Sequence, residues 1–159
     1  MKLINNQSTR LFDELKNTLT ASSEVFICTS YFSVNAFYEL SSQLMAVSSI
    51  KILIDSNLDA ETRFGYDSLE WKQYHDLKGK YKAETALSLI KDKCSVRYGN
   101  IGGQKFILVK NGEKTQCFSI VPNDLNSVSL GFLQSADPII INSFEDNGNQ
   151  FLNLFEQFW

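Results

Sequence analysis

Two apolar runs with a helical segment between them narrow the fold more than anything else in this 159-residue chain. EVFICTSYFS (24–33) and SIKILID (49–55) are rich in β-branched and aromatic residues and do not alternate cleanly with polar ones. Strands read this way when both of their faces are covered. Between them, VNAFYELSSQLM sets Val34, Phe37, Leu40 and Leu44 at helical spacing. Strand, helix and strand of this length predict a βαβ unit with parallel strands and a right-handed crossover.

The rest of the chain supplies the other layers. Ser8 or Thr9 is placed to cap a helix with Asp13 and Glu14 in its first turns and Leu11, Leu15 and Leu19 as its apolar stripe, Phe12 beside them. Residues 56–79 are polar, with little periodicity, and predict a long excursion holding a short helix around Ser68–His75. KYKAETALSLIKDK predicts a helix with Ala83, Ala86, Leu87 and Ile90 inward and its lysines outward. CSVRY predicts a short strand. QKFILVK and TQCFSIV, joined through Asn111-Gly112, predict a hairpin. DPIIINSF predicts another strand, and NQFLNLFEQFW a helix with Phe151, Leu154, Phe155 and Phe158 on its apolar side. No linker-like stretch or internal repeat interrupts this order. Residues 1–159 therefore read as a single α/β domain with a mixed sheet, a βαβ start and helices on both faces. Its last residues, Phe158-Trp159 inside a helix, read as a cut at a domain boundary in a larger chain continuing past Trp159.

An apolar share of 43%, with 12 Phe among it, is enough to build a core without disulfide or metal staples. Cys28, Cys94 and Cys117 form no CxxC pair and lie in strand-like runs, so they read as buried free thiols of a reducing, cytoplasmic environment. No run approaches the roughly 18 apolar residues of a membrane helix, and the opening MKLINNQSTR has no apolar signal segment. With one histidine, His75, and no cysteine cluster, a His/Cys metal site is excluded. No GxSxG, GxGxxG or GxxxxGK[ST] pattern occurs, which removes the common hydrolase elbow and both nucleotide loops. Asp59, Glu61 and Asp67 are scattered, and Asp55, at the end of a parallel strand, reads as a structural hydrogen-bonding group.

Charge is distributed unevenly. Lys72–Lys114 carries ten Lys or Arg against four Asp or Glu, while the remainder carries five against fourteen. Such a segment is either a phosphate-facing surface or a solvated helix face whose charges pair with acids elsewhere. Its last part, NIGGQKFILVKNGEK (100–114), combines a Gly-Gly step with a lysine just before a strand, a place where backbone can approach a phosphate.

The order of these elements resembles the phospholipase D-like superfamily over nearly the whole chain: a helix into FICTSYFS, a helix, a strand ending in Asp, then GGQKFILVK, a turn, a second β-run, VPNDLN and a helix ending in FEQFW. It looks most like the copies at the amino end of superfamily-2 helicases and of restriction and phage-defence proteins. In that superfamily the active pattern is HxKxxxxD followed by G-S-x-N and a later acid. The histidine attacks phosphorus, the lysine and asparagine hold the phosphate, and two such patterns meet across a dyad. Laid on this chain, Gly103 stands at the histidine, Lys105 at the lysine and Lys110 at the acid. Ile120, Val121 and Pro122 replace G-S-x, Asn123 fits the asparagine and Asp137 the later acid.

Glycine has no nucleophile, and Lys110 cannot replace an acid. The resemblance therefore implies a degenerate phosphodiesterase fold with no catalytic residues, no metal and no cofactor. What it implies in their place is a phosphate contact made by Lys105, Asn123 and the Gly102 and Gly103 amides, extended by Lys78, Lys80 and Lys82 of KGKYKAE. The plainer alternatives are a strand-edge lysine at Lys105 and a tight turn at Gly102-Gly103. The partners it implies are nucleic acid, DNA foremost, a downstream helicase-type domain and a second copy of the chain, with no membrane. The competing reading is an active or residual phosphodiesterase or nuclease using Lys105, His75 or the acids with a metal.

Overall fold

The computed structural model describes residues 1–57, 64–65, 77–121, 123–135 and 139–159. The predicted βαβ start is present. Strand β2 (Glu24–Thr29) is followed by β3 (Phe32–Ser33) and two short helices, α2 (Val34–Glu39) and α3 (Ser41–Ala46), before β4 (Ser49–Asp55). β2 and β4 pair in parallel, Ile27 opposite Ile52. The sequence predicts one helix here; the chain divides it at Leu40, and the apolar spacing survives the break because Phe37, Leu40 and Leu44 are all buried. Ser33 starts α2 by accepting the Ala36 amide at 3.2 Å.

β2 is the strand at which the sheet changes direction. On one side β4 leads to β6 (Cys94–Gly99), all parallel. On the other, β7 (Phe106–Asn111) pairs antiparallel with β2, and β8 (Lys114–Ser119), β9 (Ile141–Glu145) and β1 (Lys2–Ile4) follow antiparallel. The order across the seven strands is β1-β9-β8-β7-β2-β4-β6. β5 (Phe64–Gly65) forms a separate parallel pair with β3. The Asn111-Gly112 turn joins β7 to β8 as predicted, with Gly112 at φ 63°.

Side chains alternate cleanly between the two faces. Val25, Ile27, Ile50, Ile52, Ile54, Ile107, Val109 and Phe118 pack into one large core under α1 (Leu11–Thr18), α2, α3 and α4 (Leu77–Lys93). Phe26, Cys28, Leu53, Phe106, Leu108 and Cys117 face the other way, beneath α5 (Gln150–Phe158). Phe155 of α5 is fully buried and meets Phe26 edge-on at 5.3 Å, while Phe151 meets Phe106 and Phe144. Helices thus cover both faces, which is why the central strands read as continuous apolar runs.

Three local expectations change. Leu87 of α4 is 49% exposed, and Leu89 is buried with Ala86 instead. Residues 87 and 89 lie about 200° apart on a helix, so only one of the two leucines can face inward. The cap of α1 is neither Ser8 nor Thr9. Asn6, in a left-handed conformation at φ 56°, accepts the Leu11 amide at 3.0 Å through its side chain. The helix predicted around Ser68–His75 lies outside the described residues.

Candidate functional site

The carboxyl end of β2 is where the switch of strand direction places chemistry. β2 enters this edge through Thr29 and Ser30, while β7 leaves it through Lys105 and Phe106, the latter opposite Cys28. The ladder extends one step further, with the Ile120 amide donating to the Lys105 carbonyl at 3.0 Å. Beyond β8, the fully buried Leu125 pins the loop to the core and leaves its neighbour Asp124 on the site side. Asn126 locks the same loop: its side chain accepts the Ser129 amide at 2.8 Å and donates to the Tyr31 hydroxyl at 3.1 Å.

Three donors converge on the Asp124 carboxylate. Its Oδ1 accepts the Ser30 amide at 2.8 Å and the Thr29 hydroxyl at 3.3 Å, and its Oδ2 accepts Lys105 Nζ at 3.0 Å. The Lys105 and Asp124 side chains are only 17% and 15% exposed, and Thr29 is fully buried. An ammonium, an amide and a hydroxyl around one carboxylate make a small anion-receptive pocket shielded from bulk water.

The predicted site residues separate in the structure. Lys105 lies at this edge. Asn123 is half-buried, and its neighbour Asp124 pairs with Lys105. Gly102 and Gly103 form the turn that delivers Lys105. Both have positive φ, 57° and 75°, and a Cβ at either would meet nothing within 4 Å. The Gly102 amide is already bonded to the Asn100 side chain at 3.1 Å. Gly102 and Gly103 thus lie at the open tip of a turn.

Most of the basic segment is engaged within the protein. Lys110 sits at the opposite end of β7, paired with Glu24 at 3.0 Å. Lys80 is exposed near Glu84. Lys82 donates to Asn35 Oδ1 at 3.1 Å and lies 5.3 Å from the Tyr38 ring. Arg97 stacks on Trp159 at 4.7 Å. Lys78 belongs to α4, and its side chain is not among those described. Asp55 accepts the Asn57 amide at 3.0 Å, the structural role expected of it. His75, Asp59, Glu61, Asp67 and Asp137 lie outside the described residues.

The thiols offer no nucleophile at neutral pH. Burial pushes Cys28, Cys94 and Cys117 up to about 12, with a further push from Asp55 on Cys28 and from Asp146 on Cys117. Among the described residues no group of three or more His, Cys, Asp or Glu is arranged to hold a metal ion, and no helix is long and apolar enough to cross a membrane.

Solved structures identify the architecture. Polyphosphate kinase from Porphyromonas gingivalis superposes on 99% of this chain with a TM-score of 0.60 at 10% sequence identity. The fold is phospholipase D-like. This chain spans a quarter (25%) of that kinase's length. Two mutants of yeast tyrosyl-DNA phosphodiesterase also match, with TM-scores of 0.36 and 0.40 and identities of 12% and 14%. They align over 66% and 74% of this chain and 22% and 25% of theirs. No protein-family model matches the chain, and no curated protein matches it. In this phospholipase D-like fold, the Lys105–Asp124 corner was missed by sequence reasoning in one respect. The signal for Asp124 was present only as an acid adjacent to Asn123, and its partners Thr29 and Ser30 are more than ninety residues away.

Proposed function

We propose that this chain is a non-catalytic phospholipase D-like module that contacts nucleic-acid backbone through Lys105. In this reading it serves as an accessory to a helicase-type or nuclease domain, or pairs with a second copy of itself. The observation that carries it is the contrast within one turn. Gly103, an open glycine, aligns with the attacking histidine of the superfamily pattern, while Lys105, two residues on, aligns with its lysine and lies at the carboxyl edge of β2. A lysine there can hold a phosphate oxygen, and a glycine cannot attack phosphorus.

Such a contact is sequence-independent and weakens steeply with salt. The test is fluorescence anisotropy with labelled duplex and single-stranded DNA from low to moderate ionic strength, for the wild type and Lys105→Ala. Weak, salt-sensitive binding that falls further in Lys105→Ala is expected. Binding indifferent to salt and to Lys105 overturns the reading. Incubation with the same DNA, with and without Mg²⁺ or Mn²⁺, should leave it intact; cleavage lost in Lys105→Ala would establish the phosphodiesterase reading instead.

A further inference from the structure

The donors around Asp124 raise a question that the fold alone does not answer. An ionised carboxylate offers about four lone-pair sites, and what fills them shows which segments it serves. Asp124 receives an amide, a shared hydroxyl and an ammonium, all from residues at the edge of β2 and the start of β7. The Thr29 hydroxyl divides its donation between Asp124 Oδ1 and the Tyr31 carbonyl at 3.2 Å. These are donor types that also recognise a phosphate oxygen. Thr29 and Ser30 belong to the end of β2 and are not placed by Asp124's own loop.

We propose that this corner is an anion site occupied from within: the Asp124 carboxylate holds the place of a phosphate oxygen, and its charge limits how tightly the edge accepts a phosphodiester or inorganic phosphate. The inference rests on reading Lys105 as the phosphate contact. An incoming phosphate must displace Asp124 from Lys105 or bind against its repulsion in a poorly screened pocket. Asp124→Asn removes that charge, keeps the shape and retains an oxygen for Ser30 and Thr29.

The experiment compares wild type, Asp124→Asn and Asp124→Asn/Lys105→Ala at low ionic strength, with inorganic phosphate and a short single-stranded DNA as separate probes. Glu24→Gln is the charge control, because it removes one negative charge from the far end of the sheet. Asp124→Asn should bind both probes about tenfold more tightly. Lys105→Ala should abolish the gain, and Glu24→Gln should not reproduce it. The proposal is overturned if folded Asp124→Asn binds no better than wild type, if the gain survives loss of Lys105, or if Glu24→Gln gives the same gain. Should Asp124→Asn lose its cooperative thermal transition, Asp124→Ser takes its place under the same criteria. A gain for inorganic phosphate with no DNA binding by any variant sustains the filled anion site and rejects the nucleic-acid reading. Wild-type DNA binding that depends on Lys105, with no gain in Asp124→Asn, does the reverse.

Discussion

Two aspartates at opposite edges of the sheet are placed alike and used differently. Asp146, following β9, is 6% exposed and accepts the Phe151 amide at 3.0 Å and the Leu152 amide at 3.1 Å. It caps α5, whose own N-cap residue, Asn149, is left-handed at φ 56° and makes no side-chain cap. Asp146 is thus consumed by the unpaired donors that every helix start presents. Asp124, at the carboxyl end of β2, serves no helix. It gathers one amide and one lysine from distant segments. The difference separates a carboxylate that the fold requires from one that the fold tolerates, and the second is where function is to be sought.

The largest effect should come from the structural acid. Asp146→Ala leaves two helix amides unpaired beneath an aromatic face and should cost about 2 kcal/mol in urea unfolding. Asp124→Asn keeps an acceptor for Ser30 and should cost less than about 1 kcal/mol. If Asp124→Asn proved the more damaging of the two, the distinction between required and tolerated carboxylates would collapse. Lys105→Ala should fall between them in stability, at about 1 kcal/mol, because its pair is neither exposed nor fully dry. A cost much above that would make Lys105 a structural residue first.

The same contrast explains what the sequence made legible. The βαβ start, the Asn-Gly hairpin and the aromatic stripe of α5 depend on neighbours within a few residues, and periodicity reports those directly. Asp146 was not singled out, although an acid shortly before an apolar helical run is a capping signal that could have found it. Asp124 offered no such signal. Its meaning comes from Thr29 and Ser30, brought to it by the antiparallel pairing of β2 with β7, and the superfamily pattern pointed to Asn123 next door. The inward face of α4 failed for a related reason: Leu87 and Leu89 are equally apolar, and only packing against α2 and α3 selects Leu89. The basic surplus of Lys72–Lys114 is offset in part by acids outside the segment, Glu24 against Lys110 and Asp124 against Lys105.

Near neutral pH the smallest effects lie in the thiols, which act only in alkali. Cys28 and Cys117 have folded values raised to about 12, so the unfolded chain ionises first as pH rises. Stability from these groups is fully present below the ordinary thiol range and is lost progressively as pH climbs from about 9 toward about 12. Urea midpoints measured over that range should decline, and the decline should soften in Cys28→Ala and Cys117→Ala. A nearby carboxylate adds to burial at each thiol. Asp146 adds to the rise at Cys117, and Asp55 to the rise at Cys28. Alkylation rates followed by mass spectrometry should therefore show Cys117 becoming slightly more reactive in Asp146→Ala and Cys28 slightly more reactive in Asp55→Ala. Unchanged rates in both variants would mean that burial alone raises the two thiols.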